Sequence, residues 1–430
     1  MTEPRRAVIT GIGLVTAAGG DVASFWRTLL DGRSCAGPIR RFDVSGYPSR
    51  IAAEVSDADL DRTPLPPRWD GCGRLARLAA AAAARAVEDA GGAIACAPDR
   101  AGVSLATGIS TWDHAEVIHA CTGAARSRRE EDVDLRAVAE GLRRDLRPDA
   151  RARLTPGSIP VAIAADYGLT GPAMSVMTAC AGGTQAIGDA ARWIRSGRAD
   201  TVIAGGADCE ITPMGLASFC LLGALSRRND DPAAASRPFD AGRDGFVLGE
   251  GAAVIVLEER AHALARGARI YAEVAGFGGA ADAYRVTDPH PDGTGAVLAM
   301  TRAIADAGCT PDDIGYVNAH GTSTLANDRA ETIALKRLFG GRAMRVPVSS
   351  TKSMIGHATV AAGAIEAVAT ALTLRDQIVH PTINHDTRDP ECDLDYVPNV
   401  RRRTQVRWAL SNSFAFGGQT AALVLRQHAG

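Results

Sequence analysis

Lysine is nearly absent from this 430-residue chain: of its 47 basic residues, all but Lys336 and Lys352 are arginine. A lysine therefore stands out against the chain's own habit. The distinction is chemical, because a compact ammonium with three donors does not do the work of a planar guanidinium fork. A surplus of either charge is missing too. The formal net charge of −2 gives no reason to count nucleic acid or an anionic membrane among the partners. Paired cysteines are also lacking. The nine cysteines (35, 72, 96, 121, 180, 209, 220, 309 and 392) are odd in number, scattered and without a CxxC. That argues against a disulfide framework or a structural zinc site and for a reducing, cytoplasmic compartment. The start, "MTEPRRAVITGIG", carries no long apolar signal region and runs straight into strand-like sequence. The most apolar helical stretch, Ala358 to Leu374, is alanine-rich and interrupted by Glu366. It reads as a buried core helix rather than a membrane span.

What is present points to a large α/β protein. At 46% hydrophobic and 22% charged, the composition suits a globular chain long enough for two intimately packed domains. Short β-branched runs ("RRAVITGIG", "GVSLATG", "AMSVMTA", "DTVIAGGAD", "AAVIVLEE") alternate with alanine-rich helical patterns over Leu75 to Ala90 and Thr184 to Arg195. After a polar bridge at 258–269 the pattern restarts. "RIYAEVAGFGG" echoes the opening "RRAVITGIG", and "MRVPVSSTKSMIGH" leads into the apolar helix as "SVMTACAGG" leads into an earlier one. A degenerate internal duplication follows, with the two polar turns meeting near a pseudo-twofold axis. The segment 123–154 breaks the pattern, being dense in charges of both signs, and reads as a solvated helical excursion or a docking element.

Four stretches could carry chemistry. Cys180 in "SVMTACAGGTQAIG" sits before a helix, where free N–H groups and the dipole would favour a thiolate and could hold an oxyanion. Taken alone, it is as readily a small core residue. In "NAHGTSTLANDRAE", His320 at a strand end could exchange or donate a proton, Thr322 and Thr324 could bind a polar tether, and Glu331 could orient a partner. In "SSTKSMIGHATVAAG", Lys352 and His357 frame a turn, and a Lys352–Glu331 ion pair would preorganise the site. In "NSFAFGGQTA", Gly417 and Gly418 after Phe416 would permit a mobile loop and close approach of backbone N–H to a ligand; a plain hairpin turn fits as well. The glycines of "ITGIGLVTAAGG" and "RDGFVLGEG" do not form a dinucleotide fingerprint.

Together, in this order and over nearly the whole chain, these stretches resemble the β-ketoacyl-acyl carrier protein synthases, condensing enzymes of the thiolase superfamily, of the elongating Cys-His-His type. The resemblance implies a thiolase-like fold. Two pseudo-duplicated βαβαβαββ halves, 1–258 with the cysteine and 269–430 with both histidines, would form a five-layer α-β-α-β-α sandwich. It implies a ping-pong decarboxylative Claisen condensation. Cys180 would take the acyl group, and the N–H groups of Cys180 and Phe416 would form the oxyanion hole. His320 and His357 would bind the malonyl thioester carbonyl, with Lys352 and Glu331 organising them. Thr322 and Thr324 would hold the phosphopantetheine arm, Phe416 would gate the acyl pocket, and Ile109 would line its far end. No metal or soluble cofactor is expected. The implied partners are acyl carrier protein and a second subunit, identical or homologous. Leu325 replaces the usual proline and Arg285 a frequent histidine; Arg285 and the long charged excursion tilt the reading mildly from fatty acid towards polyketide synthesis. Other readings are the active or structural subunit of a ketosynthase/chain-length-factor pair, and an acyltransferase variant on the same scaffold.

Overall fold

The structure, a computed structural model, describes residues 4–108, 134–145, 155 and 157–428. Ile109 and most of the charged segment 123–154 lie outside them. Within that segment, Leu135–Asp145 is a helix, and Leu135 is 75% exposed, in keeping with a solvated excursion.

Ten strands build one mixed sheet. In chain order they are β1 (Ala7–Thr16), β2 (Ala101–Thr107), β3 (Ala173–Val176), β4 (Thr201–Asp208) and β5 (Gly251–Glu259) in the first half. The second half supplies β6 (Ala272–Ala281), β7 (Ile314–Asn318), β8 (Val348–Ser349), β9 (Trp408–Phe414) and β10 (Gln419–Arg426). Their spatial order is β8-β7-β9-β10-β6-β1-β5-β4-β2-β3. Read outward from the centre, each half runs first, fifth, fourth, second, third. The pairing directions match as well. β2–β3, β2–β4, β7–β8 and β7–β9 are parallel, while β4–β5, β1–β5, β9–β10 and β6–β10 are antiparallel. The order is a palindrome, and the expected duplication is therefore present in the backbone. The halves join through an antiparallel β1–β6 ladder, Ala7 to Ile9 against Val274 to Ala272.

Five helices complete the layers: α1 (Arg74–Asp89), α2 (Gly182–Arg195), α3 (Thr294–Ala307), α4 (Leu325–Phe339) and α5 (Ala362–Asp376). α1 covers β1, β5 and β4 on one outer face, and α3 covers β6 and β10 on the other, with α4 beside it. Between the half-sheets lie α2, packed on β4 and β2 but also on β6 and β10, and α5, packed on β9 but also on β5 and β4. This is the α-β-α-β-α arrangement. Because both faces of the sheet are covered, its strands are apolar runs without alternation; all ten residues of β1 are buried.

The glycine echo has a packing cause. A Cβ on Gly11 or Gly13 of β1 would overlap the backbone of α1 at Ala86 and Ala82. A Cβ on Gly276 or Gly278 of β6 would overlap α3 at Ala303 and Ala299 in the same way. Glycine lets each outer helix approach its strand closely. At the molecular centre the starts of α2 and α5 touch equally closely. A Cβ on Gly183 would lie 2.6 Å from Ala364 N, and one on Gly363 would overlap Thr184 Oγ1, itself 2.8 Å from Ser413 Oγ. No helix among the described residues is long and apolar enough to cross a membrane.

Overpacking this contact is expected to be costly. Gly363→Val should lower the unfolding free energy by about 1–3 kcal/mol, read as an earlier urea midpoint. An unchanged midpoint would contradict the close packing of α2 on α5.

Candidate active site

Cys180 lies in the 3-10 turn Ala179–Ala181 between β3 and α2, entered through Ala179 at φ +45°. The other half repeats the device: turn Thr359–Ala361 precedes α5 and is entered through Thr359 at φ +39°. Val360, not His357, is thus the twin of Cys180. The glycines after the cysteine serve this meeting of turns. A Cβ on Gly182 would come within 3.0 Å of Val360 Cγ1. They make room for the opposite half rather than for a ligand.

The thiol is 8% exposed. Burial pushes it up to about 12, against the opposing pull of the Lys352 charge and of the Phe416 and Cys180 N–H groups directed at it. The N–H groups at the helix start do favour the thiolate, as the sequence implies, and desolvation opposes them.

His320 follows β7 and His357 precedes the twin turn, their rings 5.4 Å apart at 84°. Burial drives both imidazoles well below their ordinary value, and the Lys352 charge adds to it, so both are neutral near pH 7. Lys352 Nζ donates to His320 Nδ1 at 3.3 Å and to the His320 carbonyl at 2.7 Å. An ammonium can only donate, so Nδ1 accepts and the ring proton sits on Nε2. His357 is held by its backbone, N–H to Val247 O at 2.8 Å and C=O to Gly249 N at 3.0 Å. Its ring packs edge-on against Phe246 at 5.2 Å, and its buried Nδ1 has no hydrogen-bond partner among the described residues.

The two lysines prove opposite in kind. Lys336 pairs with Asp393 on the surface at 40% side-chain exposure. Lys352 is 1% exposed, and its ion-pair partner is Glu366 of α5, not Glu331 as the spacing suggested. Glu331 instead receives three donors: His320 N at 2.9 Å, Gly321 N at 2.8 Å and Asn412 Nδ2 at 3.1 Å. It fixes the backbone that carries His320. Burial lifts both carboxyls to about 7. Glu366 was noticed in the sequence only as an interruption of an apolar helix. The signal was there, since a carboxylate amid so apolar a run needs a buried cation.

A cavity of about 290 Å³ brings together Cys180, His320, His357, Thr322, Thr324 and Phe416. The two threonine hydroxyls lie 2.9 Å apart at the entry to α4, where Leu325 is 62% exposed. Gly417 and Gly418 hold φ +89° and +79° but do not line the cavity. Gly417 N–H donates to Val286 O and Gly418 N–H to Ala415 O, so the Phe416 loop is tied to the segment around Arg285 and these amides are not free for a ligand. Arg285 pairs with Asp288 at 3.2 Å on the surface. The site thus offers a thiol, N–H donors facing it and two neutral imidazoles. That set can accept an acyl group and stabilise negative charge developing on oxygen.

Residues 5–263 match the family described as Beta-ketoacyl synthase, N-terminal domain, and residues 271–386 match Beta-ketoacyl synthase, C-terminal domain. The chain is 42% identical to 3-oxoacyl-[acyl-carrier-protein] synthase 2 of Synechocystis sp., over 99% of each chain. It is also 42% identical to the tetracenomycin polyketide synthase ketoacyl synthase alpha subunit of Streptomyces glaucescens, over 98% of this chain and 97% of that one. Its structure is similar, at TM-score 0.87 and 34% identity, to a type II PKS ketosynthase complex with acyl-carrier protein and a bound hexaketide, covering 99% of this chain and 100% of that one.

Alkylation tests the protonation state of the thiol. With Cys180 pushed up to about 12, its rate with iodoacetamide should rise about tenfold per pH unit from pH 7 to pH 10. A plateau below pH 8 would show a thiolate already formed.

Proposed function

The chain belongs to the beta-ketoacyl synthase family, and we propose that its 290 Å³ cavity joins an acyl group on Cys180 to a malonyl unit delivered by acyl carrier protein. It is an acyl-transferring condensing enzyme, a β-ketoacyl-acyl carrier protein synthase. The residue roles that follow are part of the proposal, and the cavity that gathers these side chains supports them.

In the first half-reaction the Cys180 sulfur attacks the acyl thioester. The new C–S bond forms as the carrier's thiol departs with the proton that Cys180 gives up. The N–H groups of Cys180 and Phe416 face the place where the carbonyl oxygen becomes negative. In the second, the malonyl thioester oxygen sits between His320 and His357. Breaking the bond to the carboxylate releases carbon dioxide and leaves the electron pair as an enolate. Neutral donors buried in the pocket wall favour that enolate more than the ground-state carbonyl, which lowers the barrier rather than merely tightening binding. The enolate carbon attacks the acyl-Cys180 carbonyl, and the cysteine sulfur leaves and regains a proton.

Lys352 acts as a positioning residue, holding the His320 proton on Nε2, with Glu366 balancing its charge and Glu331 fixing the backbone. Thr322 and Thr324 at the cavity wall take the amide-rich arm of the carrier. The proposal uses only thioesters and this chain's own groups, with no metal or soluble cofactor. Carrier proteins bring both substrates, and a second subunit, identical or homologous, joins the assembly. Identity is 42% to a synthase 2 and 42% to a polyketide alpha subunit, so sequence similarity favours neither pathway. The single observation that supports the reaction best is the convergence of Cys180, His320 and His357 on one cavity.

The steps separate by substitution. Cys180→Ala should abolish acyl transfer from acyl carrier protein, followed by mass spectrometry of the enzyme. His320→Ala or His357→Ala should slow carbon dioxide release from malonyl carrier protein by about 10²–10³-fold while acyl loading falls far less. Equal losses in both steps would contradict the division of roles.

A further inference from the structure

His320 is held by a hydrogen bond to its ring, whereas the His357 ring has none among the described residues and depends on its backbone for its position. The backbone beyond it leads to a residue that the catalytic scheme does not use. Asp208, the last residue of β4, is fully buried, and its carboxylate reaches across from the N-terminal half to the turn two residues after His357. Oδ2 accepts from Thr359 Oγ1 and, at 2.9 Å, from Val360 N; Oδ1 accepts from Cys209 N at 2.8 Å. Val360 in turn rests on Gly182, two residues after Cys180, and Thr359 lines the cavity.

We propose that Asp208 is the positioning residue that locks the two pseudo-symmetric turns together and so holds the His357 backbone at the cavity that Cys180 shares. The bonds are uneven across the pseudo-twofold. The Thr359 turn, strained at φ +39°, is gripped by a side chain from the other half, so a shift in Asp208 moves the His357 backbone and the bed of Cys180 together. The charge acts in the same place. Cys180 is faced by Lys352, His320 and His357 from the C-terminal half and by Asp208 from its own. Lys352 favours the thiolate and Asp208 opposes it. Burial raises the Asp208 carboxyl, and the Glu250 charge adds to the rise. Burial likewise raises its neighbour Glu210, with the Asp208 charge adding.

The test is Asp208→Asn, which keeps the shape and removes the charge and one acceptor. The inference rests on the condensation reading for its catalytic arm and is independent of it for the alkylation arm. Iodoacetamide alkylation of Cys180 at pH 8 should become about three- to tenfold faster, because the opposing charge is gone. Carbon dioxide release from malonyl carrier protein should become at least fivefold slower, because the turn under His357 relaxes. Loosening of the turn by itself would also expose the thiol, so the effect of the charge is read from Asp208→Glu. Asp208→Glu restores the charge and should return the alkylation rate to that of the parent. If Asp208→Asn does not fold, Thr359→Val leaves the carboxylate and removes only the hydroxyl. It should then slow carbon dioxide release two- to fivefold. Alkylation and decarboxylation both unchanged in the folded variant would overturn the proposal. No decarboxylation by the parent enzyme would instead overturn the condensation reading and leave the alkylation arm to be read by itself.

Discussion

The buried ammonium of Lys352 is the constraint around which the site is organised. It is 1% exposed and carries no solvent shell, so its three donors are spent on Glu366, the His320 carbonyl and His320 Nδ1. Removing one member of such a pair strands the other at about 3–5 kcal/mol, which ties the start of the Lys352 turn to the middle of α5. The pair also sets chemistry. Donation to Nδ1 leaves His320 with its proton on the outward nitrogen, and the same positive charge helps keep both imidazoles neutral. Arginine would fit neither the single-atom contacts nor the space, which explains a lysine in a chain that otherwise uses arginine almost throughout.

The frame that brings these groups together is a duplicated one whose halves no longer share chemistry. Each half contains a strained 3-10 turn before its central helix. One turn carries the thiol and the other carries Val360, against which the first packs. Symmetric construction places the turns side by side; the divergence of side chains makes one a nucleophile's seat and the other its support. Residues from 180 to 416 therefore meet in one cavity.

Much of this was legible in the chain. The five strands of the first half are where their β-branched runs lie, and the repeated Gly-x-Gly of β1 and β6 announced the duplication because close helix approach demands glycine in both places. The catalytic cysteine and histidines stood in motifs. What could not be read were quantities set by tertiary packing. The Lys352 partner lies on another element, and only the placement of α5 selects Glu366 over Glu331. The helix start that favours a Cys180 thiolate is visible in sequence, whereas the burial that opposes it is not. Asp208 carries no signal within the run "DTVIAGGAD", since two of its contacts, Thr359 and Val360, belong to the opposite half. Gly417 and Gly418 read as ligand-approaching amides, yet their N–H groups are taken by Val286 and Ala415.

The claim that Lys352 fixes His320 as a neutral donor is open to one direct measurement. Nitrogen-15 NMR of histidine-labelled protein, with His320 assigned by difference from His320→Ala, reports tautomer and charge together. The account predicts a neutral ring with its proton on Nε2 from pH 8 down to pH 6. An imidazolium at pH 6, or a proton on Nδ1, would contradict it.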